Sequence, residues 1–479
     1  TITAHVKSYF IDMMLLNAAC ARPALFNGLS PSVSGWRTPE VRFWGAGRCP
    51  RQRRLASTAA HSNGFDPDDT IPRTTTPHSG YHFDGSDRRF FEGWYWRLTL
   101  PGRGQSFAVI YSVEDPGSQR PTSGVGAQIM GPNDSYLLQY EEGTAGFWAD
   151  PHELALGKVF AASPGCAPAA APCPPERFEA LVSEGFQVQG GRHQGRIVSR
   201  EAGVVPGPAP SVASARWDFQ VTPRLGWGSP GQRQLSTAGW LAAVPIFEPH
   251  WQVLMAHGSA SGWIEWGGER YAFQGVPTYA EKNWGGGFPS RWCWVQCNSF
   301  DGHPGTSVTA VCARRGVRLV PGLEEDVGLI GLHAAGDFHE FVPNKGDIGW
   351  EVEPWGTWRI HGENAEHTAL VEATCPPEAG TVLRAPTADL GLAPFCRDSF
   401  SGRVRVRMWR RGEEGRAPPV VDCVSLEETG AVEVGGGPWW SGWKARAAMA
   451  GGVKALLNLP VDVEGLTGWL PGGLRPKGL

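Results

Sequence analysis

Three aromatic-rich stretches of this 479-residue chain set carboxyl groups among indoles. The first, TPHSGYHFDGSDRRFFEGWYWRL (76–98), holds His78, Tyr81, His82, Asp84, Glu92, Trp94, Tyr95 and Trp96. The second, GWLAAVPIFEPHWQVLMAHGSASGWIEW (239–266), holds Glu248, His250, Trp251, His257 and Glu265. The third, YAEKNWGGGFPSRWCW (279–294), holds Tyr279, Glu281, Asn283 and Trp284, with three glycines behind them. A carboxyl in an apolar pocket has its pKa raised and stays protonated, so it can act as a general acid. Indole faces stabilise positive charge. An acid walled by indoles is equipped to protonate an alkene and shelter the carbocation. A lone tryptophan is more often core filler, and a lone glutamate a solvated strand face. Their concurrence is what points to chemistry.

Other site types are missing from the sequence. There is no G-x-x-x-x-G-K-[ST], no G-x-G-x-x-G after a strand, no H-E-x-x-H and no G-x-S-x-G. His78 and His82 have the spacing of a helical ligand pair, but the Pro, Gly and Asp around them forbid a helix. No metal or other cofactor is expected. The ten cysteines show no C-x-x-C spacing, which argues against a zinc ribbon or thioredoxin-type site. Cys293 and Cys297, at even strand spacing, read as core. A formal charge of −4 gives no reason to expect a nucleic-acid partner. No run of 18 apolar residues is present, so a spanning helix is not expected and membrane contact would be peripheral.

The elements that must carry these residues read as strands. EGWYWRLTL (92–100), SFAVIYSV (106–113), ARWDFQVTP (215–223), HWQVLMAHG (250–258), SGWIEWGG (261–268), RWCWVQCNSF (291–300) and GRVRVRMWR (402–410) are aromatic or β-branched runs bounded by turn residues. Arg403, Arg405 and Arg407 alternate with Val404, Val406 and Met408, the pattern of a half-exposed strand. Many short strands with turn-rich joints predict an all-β protein of antiparallel barrel or sandwich domains. Residues 161–175 and 201–211, rich in Pro, Ala and Gly, read as loops. We expect one β-domain over 76–268, a second over 269–450, and a tail over 451–479 with weak helical spacing. The first 64 residues hold eight basic residues against two acidic ones. Such an Arg-rich, acid-poor leader reads as a disordered organelle transit peptide.

The strings TPHSGYHFDGS, FFEGWYWRL, FEPHWQVLMAHG, GWIEW, EKNWGGGFPSRWCWVQCN, CRDSFSGRVRVRMW and VGGGPWWSGWK, in order over residues 76 to 447, resemble the tocopherol cyclase family of plants and algae. The resemblance implies two lipocalin-like β-barrel domains, related to carotenoid hydratases and AttH-type lipid proteins. It implies isomerisation of a phytyl-benzoquinol to a chromanol: a proton adds to the prenyl alkene and the neighbouring phenol oxygen closes a six-membered ring. It also implies a plastid protein that meets its prenylated benzoquinol substrate at a lipid-droplet (plastoglobule) or inner-envelope surface. Tyr279-x-Glu281 is similar to the Tyr-x-acid of the related hydratases, which makes Glu281 the expected proton donor. Tyr279 would orient its proton and Asn283 would hydrogen-bond its carboxyl. Trp284, Trp251 and Trp94 would face the cation, with Trp96, His250, Tyr81 and His78 around the substrate. Glu92 is the alternative acid, followed by Glu248, His250 and Asp84. Two other readings stay open here, a prenyl-lipid carrier and a hydratase in which water captures the cation.

Overall fold

The computed structural model describes residues 76–479, apart from 118–119, 167–171, 202–205, 238, 244–247, 317–323, 354, 437–440, 450, 468–469 and 471–474. The leader (1–64) and the Trp-Trp of VGGGPWWSGWK thus lie outside the described residues, as does part of GWLAAVPIF. The period-2 patterning of the sequence folds into two antiparallel sheets, and the expected all-β class holds.

In the first sheet, Phe91–Leu100 leads outward through strands 105–114, 124–131 and 135–142. A second run, 147–149, 156–162, 182–189, 192–198, 214–225, 250–266 and 269–285, then brings the chain back so that Glu269–Gly285 pairs with Phe91–Leu100. The second sheet repeats the plan. Arg291–Cys297 leads through 307–316, 324–334 and 337–341, and Gly430–Gly436 returns to its other edge, backed by Gly391–Arg410. Each sheet therefore has its first strand paired with a late one. This non-local pairing places residues nearly two hundred positions apart side by side, as with Tyr95 opposite Glu281.

The chain changes sheets at 286–290, later than a division at 268/269. Gly267 and Gly268, both at positive φ, are the two-residue turn of a hairpin in which Trp266 faces Glu269. Gly-Gly is a favoured composition for such turns, so residues 267–268 form a hairpin inside the first sheet. HWQVLMAHG and SGWIEWGG likewise form one strand, His250–Trp266, bent by register shifts near Met255 and Gly262. The crossover uses the three glycines of the third stretch, Gly285, Gly286 and Gly287. Gly285 takes φ +140°, and a Cβ on Gly287 would sit 2.7 Å from the Ala388 backbone nitrogen.

Side-chain alternation sorts the strands' two faces into separate cores. One face of the first sheet closes over Trp94, Trp96, Tyr111, Phe186, Trp217 and Phe219. The second sheet closes over Val295, Val308, Ile330, Trp350, Ile360 and Val406. Cys293 and Cys297 are buried in that second core, as their spacing implied. A third cluster, including Trp227, Val253, Tyr279, Trp292, Trp294 and Ala431, lies where the outer faces of the two sheets meet. Arg97, fully buried, ties the sheets there by donating to Gln296 Oε1 (2.7 Å) and Ser106 Oγ (3.2 Å). Gly391–Arg410 carries the expected alternation, with Arg403 and Arg405 exposed and Val404, Val406 and Met408 buried. The tail forms two short helices, Gly451–Leu457 and Val463–Thr467.

Candidate active site

A cavity of about 610 Å³ lies between the two sheets, within the ~300–1,000 Å³ typical of ligand sites. Its position follows from the register. Tyr279, Glu281 and Asn283 alternate on the face of Glu269–Gly285 that looks toward the second sheet. Tyr95 lies opposite Glu281 and Gly93 opposite Asn283 on one neighbouring strand; Val253 and Trp251 hold the same places on the other. Gly93 has no side chain, so the wall recedes beside Trp251 and Asn283. From the second sheet, Trp292, Trp294, Cys396 and Glu433 close the space.

Glu281 is one of the carboxyls that line this cavity. Burial raises its carboxyl from the ordinary 4.5 to about 7, against the Tyr279 hydroxyl and the Trp251, Trp294 and Asn283 donors, which favour the ionised form. The Tyr279 hydroxyl donates to Glu281 Oε2 at 2.6 Å. Trp294 Nε1–H lies near the carboxyl but completes no hydrogen bond of ordinary geometry. Burial, then the nearby Glu281 charge, hold Tyr279 well above its usual range, so it stays a neutral donor. Aromatic rings gather around this carboxyl. Tyr95 meets Trp294 edge-on at 5.7 Å, Tyr279 lies 6.0 Å from Trp294, and Tyr95 lies 6.4 Å from Tyr279. The arrangement supplies a carboxyl whose pKa is raised toward neutral pH inside a π-lined cavity, where positive charge is stabilised.

The residues named from sequence divide between the two faces of the sheet. Glu281, Tyr279, Asn283 and Trp251 meet on the cavity face. Glu92, Trp96 and Trp284 are one residue out of phase and point the other way. Glu92 is fully buried beside Lys282, which it contacts as an ion pair, and it accepts from the His82 backbone at 2.8 Å. Burial pushes Glu92 up and Lys282 down, while each charge pulls the other back toward its ionised form. Lys282 Nζ also sits 5.5 Å from the Trp94 ring and 5.4 Å from the Trp284 ring. The cation nearest these two indoles is therefore the protein's own lysine. Trp94 borders the cavity, but its ring packs in the first core with Tyr81 (6.1 Å) and Phe147 (6.4 Å). Trp96 stands edge-on to His193 at 4.6 Å within that core. Tyr81 packs there too.

His78 and His82 bond to each other at 3.2 Å, and His78 reaches Ser236 Oγ at 3.0 Å. His82 stacks on Trp284 at 3.9 Å. His250 borders the cavity while its ring stacks 5.1 Å from Trp284 on the far face. Glu248, another alternative acid, accepts from Arg88 at 3.1 Å and from the Gly286 backbone at 3.0 Å. Asp84 is half exposed beside Arg88. Neither lines the cavity.

The sequence reading missed the carboxyls of the second sheet. Glu433 lines the cavity and accepts a hydrogen bond from Trp292 Nε1. Burial raises it to about 7, and the Glu281 charge adds to the rise. Asp398 lies directly opposite Glu433 on the adjoining strand. Burial first, then Glu433, push Asp398 well above the usual carboxylate range. The available signal was a lone acid inside an apolar alternating run, AVEVGG (431–436), with no aromatic neighbour in sequence to mark it.

The family described as Tocopherol cyclase-like matches residues 88–436. The "Tocopherol cyclase, chloroplastic" of Zea mays is 42% identical over 475 residues, covering 96% of this chain and 94% of that protein. The "Probable tocopherol cyclase, chloroplastic" of Oryza sativa subsp. japonica is 46% identical over 409 residues, covering 82% of this chain and 85% of that protein. Among solved structures, kievitone hydratase from Nectria haematococca aligns with a TM-score of 0.37 at 11% identity, over 80% of this chain and 97% of that chain.

Proposed function

This chain belongs to the tocopherol cyclase family, and from that premise we propose that its ring closure is driven by Glu281 in the cavity between the sheets. Its activity is that of a tocopherol cyclase, converting a phytyl-benzoquinol to a chromanol. Glu281 gives its proton to the less substituted carbon of the prenyl alkene. Positive charge builds on the tertiary carbon, with Trp251, Trp294 and Tyr95 around it. The phenol oxygen attacks that carbon, and loss of the phenol proton completes the isomerisation. Protonation of an alkene by a carboxylic acid is steeply uphill, so attack is nearly concerted with it, and the shaped cavity contributes through positioning.

The single observation that carries this reading is the buried Glu281 carboxyl, raised to about 7 and ringed by aromatics. A prenyl-lipid carrier has no use for such an acid, and a hydratase would release an alcohol. The test is turnover of a phytyl-benzoquinol in heavy water under reducing conditions. A chromanol with one solvent deuterium on the new ring methylene is the expected product. Binding without conversion, an alcohol, or a chromanol free of deuterium would each overturn the reading.

The relatives are chloroplastic, and the chain is a plastid protein; the basic leader is suited to a transit peptide. Delivery from a lipid surface, a plastoglobule or the inner envelope, completes the proposal, because a phytyl tail is too apolar to cross water freely. The cavity mouth suits such contact. Leu235, Leu241, Leu457 and Val461 border it, and Leu235 and Leu466 are each 50% exposed.

A further inference from the structure

We propose that Glu433 is the base of the same reaction, taking the phenol proton as Glu281 gives its own to the alkene and returning it after ring closure. This rests on Glu281 being the acid. Substrate and product are isomers, so every proton given must be recovered. Glu281 donates on the alkene side, while the phenol O–H bond breaks at the oxygen. A second carboxyl facing the same space takes that proton, and the C–O bond forms as the O–H bond is lost. No outside oxidant, reductant or water is consumed.

The register places this second carboxyl. Trp294, Glu433 and Asp398 form one cross-strand row on the second sheet. Tyr95, Glu281 and Val253 form the matching row on the first. The rows face each other through the Tyr95–Trp294 contact. Glu281 and Glu433 both line the cavity. Two buried carboxyls in one cavity cannot both ionise cheaply, so they titrate as a pair. Both rise to about 7, and the Glu281 charge helps raise Glu433. One proton shared between two carboxyls that line the same cavity leaves one acid and one base. The rings concentrated about Glu281 assign the protonated role to it.

Several groups act on or lie beside Glu433: Glu281 from strand 269–285, Tyr95 from 91–100, Cys396 and Asp398 from 391–410, and Trp292, which donates to its carboxyl. Burial first, then the Glu433 and Asp134 charges, push Asp398 above the usual carboxylate range, with Arg97 opposing. Burial, Asp398 and then Glu433 and Glu281 also keep the Tyr95 phenol protonated, with Arg97 opposing. The Tyr95 hydroxyl is buried and makes no hydrogen bond.

The experiment compares pH profiles of kcat for the wild type, Glu433→Gln, Glu433→Asp and Glu281→Gln on detergent-dispersed phytyl-benzoquinol. Binding of the oxidised quinone, which has no phenol proton to lose, reports an intact site. The wild type should give a bell: activity rises as Glu433 ionises and falls as Glu281 deprotonates. Glu433→Gln should lose on the order of a hundredfold, keep the falling limb, lose the rising one, and bind quinone within about threefold of wild type. Glu433→Asp should regain part of the rate together with the rising limb, which settles the matter if the Gln variant folds poorly. Turnover of Glu433→Gln within threefold of wild type, a retained bell, or loss of the falling limb instead would overturn the proposal. Near-normal turnover in Glu281→Gln would sink the acid assignment alone, whatever Glu433→Gln does.

Discussion

Glu281, the proposed proton donor, is buried at a cost to folding. Its pKa rises from 4.5 to about 7 in the folded protein because burial penalises the charge, whereas the unfolded chain ionises near the ordinary value. The folded state therefore binds the proton more tightly. Its contribution to stability is fully present below about pH 4 and is lost as pH climbs through 7. Glu433 adds a term of the same sign. Calorimetric Tm should fall from pH 5.5 to 8, and the fall should be visibly shallower in Glu281→Gln, which has no proton to lose. An equal slope in both proteins would show that Glu281 titrates as an ordinary exposed carboxyl.

At the scale of the element, a strand's two faces separate catalysis from support. Lys282 sits between Glu281 and Asn283 in sequence, yet it points into the opposite layer and pairs with Glu92. Removing one partner leaves an uncompensated buried charge, at a cost of about 3–5 kcal/mol. Glu92→Gln alone should thus lower Tm by several degrees, while Glu92→Gln with Lys282→Met should recover most of it. The stable double variant should keep turnover within a few-fold, since neither side chain faces the cavity. A hundredfold loss in that variant would return Glu92 to the chemistry. The same two-faced geometry explains what the sequence made legible. The strands, the buried Cys293 and Cys297 and the acid-among-aromatics at Glu281 were readable because each depends on local composition and period-2 alternation. Trp284 and Glu92 were grouped with Glu281 because sequence proximity hides which face a strand residue takes. Glu433 escaped because its aromatic neighbours, Trp292 and Trp294, come from another strand some 140 positions away, a distance only pairing closes.

For the whole molecule, the site exists because the chain builds one sheet plan twice and packs outer face on outer face. The first core is filled with Trp94, Trp96, Trp217 and their neighbours, and the seam between the sheets, which holds the cavity, is the place proposed for substrate. The tail lies across the mouth of that seam. Trp240 Nε1 donates to the Leu456 carbonyl at 3.2 Å, Arg233 pairs with Asp462 at 2.8 Å, and Asn344 bonds Asn458 at 3.0 Å. Leu235→Asp with Leu466→Asp should weaken flotation with anionic liposomes and raise KM for liposome-borne quinol, with detergent-dispersed substrate turned over normally. Unchanged flotation would place lipid contact elsewhere. The central claim is that Glu281 supplies the proton, and single-turnover cyclisation by Glu281→Gln tests it most directly. The account predicts a loss on the order of a hundredfold or more, with quinone binding within about threefold of wild type. Cyclisation at a near-normal rate in that variant would contradict it.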